Sequence, residues 1–260
     1  MPDKIFDDSN FTELITDGAT IVGGPLGGEP RPRSYDSSFA KPFSSRFKVI
    51  DRAEWPERIK DQKANQRRIS DFQKFKSHAQ TGPTCWANGP AHAATTKAFM
   101  QTGLLIYWSA NSIAVPISGG TSGGYEGEAV KMMMKDGCAS TRTYDNGSRD
   151  RSALRSPEVE NDRKHFHVLE ALELDGFDEF FTAALLGLPF AVAFNWWSHV
   201  ISGGDPCQDG SSFCIDYRNN WGDNYGHKND AGFGGYVKMR EGKGTPDSGW
   251  VIYEVTAYTP

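Results

Sequence analysis

The first 45 residues carry no sustained apolar period. Gly23-Gly24-Pro25-Leu26-Gly27-Gly28-Glu29-Pro30-Arg31-Pro32 mixes turn formers with polar residues, a composition that packs poorly alone and reads as an extended N-terminal arm over residues 1–45. From Asp51 to Phe75, Trp55, Ile59, Ile69, Phe72 and Phe75 recur among many charges, which predicts helix. The run from Cys85 to Met100 also reads helical. Ala87, Ala91, Ala93, Ala94 and Phe99 are small or apolar, Gly103 closes the run, and Pro90 marks a place for a local kink. Ser109–Ser112 reads as a cap before a short helix, and a Gly-rich turn at 119–124 leads into a helix through Glu128–Lys135 that Asp136-Gly137 stops. A further helix is expected over Phe177–Leu186. Strand-like segments follow at Phe190–Phe194, His199–Ser202, Phe213–Arg218, Gly235–Met239 and Trp250–Ala257. Helices early and strands late predict an α+β domain over residues 46–260, a helical half packed on an antiparallel sheet. No repeat is visible.

Charge and composition narrow the partners. The 28 basic and 33 acidic residues give a net charge of −5, which offers no electrostatic reason to expect nucleic acid or an anionic membrane. The N-terminus is acidic where a signal peptide is basic. The longest apolar run, Leu185–Phe194, is broken by Gly187 and Pro189 and falls short of the roughly 18 residues that span a bilayer. The expectation is a chain without signal peptide or transmembrane segment, cytoplasmic or virion-associated. Of the four cysteines, Cys207 and Cys214 flank a turn-like insert. They either bridge or stay reduced, and a cytosolic setting favours two reduced thiols. Two further ligands near them are missing, so no metal is expected, and no cofactor.

The chemistry centres on cysteine. A thiol becomes a good nucleophile at a helix N-terminus facing an imidazole. Cys85, after Gly82-Pro83-Thr84, opens a predicted helix; the plain alternative is a small buried hydrophobe. Among His78, His92, His165, His167, His199 and His227, His199 begins a strand within an apolar stretch and suits a base, or else a hydrogen-bonded core residue. His92 lies two turns along the helix of Cys85, too far for proton transfer. His165 and His167 sit in a charged run and read as solvated. In Arg218-Asn-Asn-Trp-Gly222 the Asn219 amide is placed to fix the tautomer of a base while Trp221 keeps water off that bond; the alternative is a strand ending in a tight turn.

Together these residues resemble the papain-like cysteine peptidases. Gln80-Thr-Gly-Pro-Thr-Cys-Trp-Ala87 looks like the family's nucleophile motif, and Trp108-Ser109 like its Leu-Ser. Gly123-Gly124 resembles the paired glycines that bind substrate backbone. His199-Val200, Arg218-Asn-Asn-Trp-Gly222, Gly235-Tyr-Val-Lys-Met-Arg240 and Ala257-Tyr-Thr-Pro260 resemble later motifs in the same order. The resemblance spans about Phe47 to Pro260 and implies a two-lobe fold with a cleft between the helical and sheet halves. It assigns Cys85 as nucleophile, His199 as base, Asn219 as its orienting residue and Trp221 as its shield. Gln80 would stabilise the oxyanion with the Cys85 backbone N–H, and Gly123 and Gly124 would hold the substrate main chain. Pocket walls would come from Ser122–Tyr125, Phe194–Ser198 and the region near Trp250. Several departures stand out: the Gln80–Cys85 gap is one residue short, and Gly82-Pro83 and Thr121-Ser122 stand where the family has paired cysteines. Asn88 replaces an aromatic, the stretch between Gly226 and Gly235 carries an insert, and the arm does not look like the family's prosegment. The implied activity is peptide hydrolysis through an acyl-enzyme, on a peptide or protein substrate. Alternatives are a non-catalytic module of a larger assembly such as a virion, partnered through the arm, or a thiol acyl-transferase or deamidase.

Overall fold

The stretch from Asp51 to Phe75, expected as one helix, is two: α1 (Trp55–Ala64) and α2 (Ile69–Phe72). They part at Gln66, which enters the left-handed region at φ 51°. These elements come from a computed structural model that describes residues 4–14, 27–77, 79–256 and 258. His78, much of the expected arm, and Ala257, Thr259 and Pro260 of the expected chain-end motif lie outside the described residues.

Helix α3 (Cys85–Thr102) ends where Gly103 turns left-handed at φ 70° and returns its N–H to Phe99. Every residue from Cys85 to Thr96 is buried, Pro90 among them. A helix enclosed on all sides belongs at the centre of the fold, and α3 packs against three strands of the sheet as well as its helical neighbours. Those neighbours are α4 (Asn111–Ser118) and α5 (Glu126–Lys135), the latter starting two residues before Glu128. Two further helices, α6 (Pro157–Arg163) and α7 (Gly176–Leu185), follow.

The strands are β1 (Ile5–Phe6), β2 (Lys41–Pro42), β3 (Val168–Leu174), β4 (Phe190–Phe194), β5 (His199–Asp209), β6 (Ser212–Arg218), β7 (Tyr236–Arg240) and β8 (Ser248–Val255). They form one sheet in the order β1-β7-β6-β5-β4-β8-β3-β2. The six central strands pair antiparallel, while β1 and β2 add parallel to β7 and β3 at the two edges. β1 and β2 both belong to the first 45 residues, so the N-terminal region seals both open edges of the sheet.

Strand β5 continues seven residues past Ser202 because Gly203-Gly204 passes through an irregularity in the β5–β6 register. A Cβ on Gly204 would stand 1.7 Å from the Asp216 carbonyl oxygen, so only glycine lets the strands close there. Further on, the register sets Cys207 opposite Cys214 with Cα atoms 4.9 Å apart, and the two form a disulfide. The expectation of reduced thiols is corrected: the tight turn at Gly210-Ser211 dictates a register that spacing alone leaves open.

Two large apolar cores result, beside a smaller cluster of Val115, Tyr144, Leu154 and Val159. One joins Trp55, Phe177, Phe181, Phe190, Phe194 and Tyr217 under α1 and α7. The other joins Trp86, Trp108, Ile113, Val130 and Trp250 around α3, α4 and α5. Among the described residues no helix is long and apolar enough to cross a membrane.

Candidate active site

Cys85 is the first residue of α3 and is fully buried. Its own N–H lies in the first turn, where helical amides have no intrahelical acceptor. Backbone N–H groups of Val200, Gly27, Trp86 and Cys85 itself surround the sulfur and favour thiolate, but burial outweighs them and pushes the thiol up to about 11. Val200 follows His199 directly, so the start of β5 abuts the start of α3 as the sequence motifs require.

His199 is fully buried at the first position of β5. Its Nε2 lies 2.8 Å from Asn219 Oδ1. That oxygen also accepts the backbone N–H of Asn220 at 2.8 Å, which identifies it as oxygen rather than amide nitrogen. An oxygen accepts, so His199 Nε2 carries the proton and Nδ1 keeps a free lone pair. Nδ1 has no hydrogen-bond partner among the described residues. The ring is clamped by Trp221, stacked at 4.6 Å, and by Trp197, edge-on at 4.7 Å. Burial in this aromatic slot drives the imidazole down to about 4, against the opposing effect of the Asn219 bond. Thiol and imidazole are thus both neutral in this state.

The reason for this dryness is the arm. Gly27–Glu29 runs through the space between α3 and β5. Gly28 donates its N–H to the Ser198 carbonyl at 2.8 Å, and Glu29 donates to Gly124 at 3.0 Å. Gly124 in turn donates to the Gly27 carbonyl at 2.9 Å. The segment lies parallel to the Gly124 backbone. Both glycines are needed for this approach: a Cβ on Gly27 would stand 2.1 Å from the Pro83 oxygen, and one on Gly28 would stand 2.8 Å from the His199 nitrogen. Gly123-Gly124 makes the matching concession on the other wall, since side chains there would strike the Gly27 oxygen and the Trp86 ring.

The structure therefore brings Cys85, His199, Asn219, Trp221, Gly123 and Gly124 around one cleft. Gln80 is anchored beside it by its backbone N–H to Asn220, 2.9 Å, but its side-chain amide donates to Gly82 at 3.1 Å. The short Gln80–Cys85 loop folds that amide onto itself. Asn88, which stands where the family has an aromatic, ties back to the residue before the helix, donating to the Thr84 carbonyl and hydroxyl. Ser198 lies at the cleft, within the wall expected from Phe194–Ser198; sequence reasoning did not single out Gly27–Glu29, for which a glycine pair inside an otherwise formless arm was the one available signal.

No protein-family model matches the chain, and no curated protein does. Among solved structures the chain is similar to xylellain, a cysteine protease from Xylella fastidiosa, with 16% identity and a TM-score of 0.59 over 91% of this chain and 97% of that one. It is also similar to digestive procathepsin L 3 of Tenebrio molitor larval midgut, with 14% identity and a TM-score of 0.60 over 92% and 78% of the two chains. A third is procathepsin B S9 from Trypanosoma congolense, with 12% identity and a TM-score of 0.56 over 92% and 97%. At these identities the likeness speaks for architecture, and it agrees with the order of elements above: the chain has the papain-like α+β fold.

Proposed function

We propose that this protein is a cysteine peptidase held in a latent state by its own N-terminal region. The observation that carries the reading is the His199–Asn219 pair, because the doubly engaged Asn219 oxygen forces the tautomer whose Nδ1 is free to take a proton. With a peptide in the cleft, His199 removes the thiol proton of Cys85, and the thiolate attacks the scissile carbonyl. The developing oxyanion is held by the Cys85 backbone N–H at the helix start. His199 then returns the proton to the leaving amine, and water resolves the acyl-enzyme. Gly124 offers its N–H and carbonyl to substrate main chain, as it now does to Gly27 and Glu29. Latency is supported by the Gly27 N–H, with which the arm meets the sulfur. Two of the similar structures are themselves proenzymes by name.

The test is alkylation by an epoxysuccinyl peptide followed by peptide mapping, on the full chain and on Gly28→Val. Modification confined to Cys85 and lost in His199→Ala supports the reading. Modification of Cys85 no faster than that of buried Cys138 in both proteins overturns it. That result favours the second reading, a non-catalytic module, for which the neutral pair and the filled cleft speak.

A further inference from the structure

Strands β5 and β6 part at the cleft. Their last paired residues on that side are Ser202 and Arg218, so the start of β5 and the stretch after β6 face each other beyond the end of the ladder. Two consecutive asparagine side chains span the opening. Asn219 Oδ1 meets the His199 ring, and Asn220 Nδ2 donates to the Val200 carbonyl at 3.4 Å. A carbonyl only accepts, so the amide nitrogen of Asn220 is the atom that faces it. Asn220 is 3% exposed, and its Oδ1 has no partner among the described residues. Burying an amide with one end unmet costs stability, which directs attention to what the bonded end achieves.

The main chain of Asn220 does work that any residue could do. Its N–H donates to Asn219 Oδ1 at 2.8 Å, and its carbonyl accepts the Gln80 N–H at 2.9 Å. Only the bond to Val200 needs the side chain. Val200 in turn presents its N–H to the Cys85 sulfur, where it favours thiolate. The Val200 side chain is packed hard against α3, with Cγ1 2.9 Å from where a Cβ on Gly89 would lie. Val200 is thus held from the helix by packing and from the sheet side by Asn220.

We propose that Asn220 is a positioning residue for the nucleophile: it holds Val200 so that the Val200 N–H stays on the Cys85 sulfur, while its neighbour Asn219 holds the base. The inference rests on the peptidase reading and adds to it a residue that touches neither substrate nor sulfur. Without the side-chain bond Val200 is free to turn, its N–H leaves the sulfur, and a thiolate with one donor fewer forms less readily. The plain alternative is that Asn220 acts through its main chain alone, which makes its side chain dispensable.

The experiment measures alkylation by iodoacetamide, mapped at Cys85 and at buried Cys138. It compares the full chain and Gly28→Val, each with Asn220 intact, Asn220→Ala or Asn220→Leu. Alanine removes the amide, and leucine removes it while filling the space, so one folded variant suffices. The Cys85 rate is expected to fall about five- to tenfold in both backgrounds, the scale of one hydrogen bond to a charged atom. Its rate–pH curve should move to higher pH by up to about one unit, while Cys138 stays unchanged. His199 keeps Asn219 as its partner in every variant, so the displacement reports on the sulfur. A Cys85 rate that holds or rises in a folded variant overturns the role of Asn220 and leaves the peptidase reading standing. A fall matched at Cys138 marks a change of the whole fold and overturns that role equally. Cys85 no more reactive than Cys138 in both the full chain and Gly28→Val overturns both readings.

Discussion

The two surfaces that meet at the cleft are built in opposite ways. On the sheet wall, the His199–Asn219 unit is fixed largely by residues brought from elsewhere in the sequence. Asn219 donates its N–H to Gly235 at 2.7 Å and accepts the Ser77 hydroxyl at 2.7 Å, while Trp197 and Trp221 fix the ring. The arm crossing that wall is held at Gly27–Glu29 through its main chain, by backbone bonds to Ser198 and Gly124 and by the Gly27 N–H on the Cys85 sulfur. Each neutral backbone bond adds only about 0.5–1.5 kcal/mol net, and an incoming peptide remakes bonds of the same kind. The contrast separates a permanent machine from an exchangeable occupant. Because β1 and β2 anchor the N-terminal region on opposite sheet edges, the occupant stays at high local concentration after release.

The largest effect should come from breaking the permanent side. On the proposed mechanism His199→Ala removes the base and should lower peptide hydrolysis by at least about a thousandfold. Asn219→Ala leaves the base but frees its tautomer and orientation, and should cost roughly ten- to a hundredfold. Rates on one fluorogenic peptide, compared between the two variants, decide the matter; equal losses would show that Asn219 does more than orient.

The exchangeable side should answer in the other direction. A valine at position 28 has no room, since the atoms nearest a Cβ there are backbone atoms of Ser198 and His199. Gly28→Val should expel Gly27–Glu29 and raise Cys85 alkylation on the order of tenfold. Its pH profile should change as well. In the unaltered chain burial holds the thiol at about 11, so the thiolate fraction and the rate keep climbing with alkalinity toward that value. In Gly28→Val, water returns, the burial penalty on thiolate and imidazolium shrinks, and the rate should level off at lower pH. An unchanged rate and profile in a folded Gly28→Val would mean that the arm does not limit access.

What the sequence disclosed follows the same division. The helix that Cys85 opens was legible from local signals, with Cys85 after a turn, an alanine-rich face and Gly103 as cap, and the structure makes α3 two residues longer. The α+β order was legible because strands rich in β-branched and aromatic residues crowd the second half. Strand β3 was not: Val-Leu-Glu-Ala-Leu-Glu-Leu is built mostly of helix formers, and its pairing with β8 overrides that preference. The cleft occupant was illegible because it binds through its own main chain, and glycine spells backbone permissiveness without naming a partner.

The smallest effect tests how tightly the permanent wall is drawn. Ser198 sits at φ 49° and ψ 42°, ending the 3-10 turn Asn195–Trp197 and aiming the chain into β5. Its carbonyl is the one that receives Gly28, so a single strained residue serves both surfaces. A left-handed conformation costs an ordinary residue about 1–2 kcal/mol, and glycine escapes that cost while giving up about 0.5–1 kcal/mol to the entropy of its unfolded chain. Ser198→Gly should therefore leave stability unchanged or raise it by up to about 1 kcal/mol, whereas β-branched Ser198→Val should lower it by more than about 1 kcal/mol. Urea unfolding of the three proteins at one pH measures this. A glycine variant less stable than the parent by more than that margin would mean that the serine side chain, not the backbone turn, holds His199 in place.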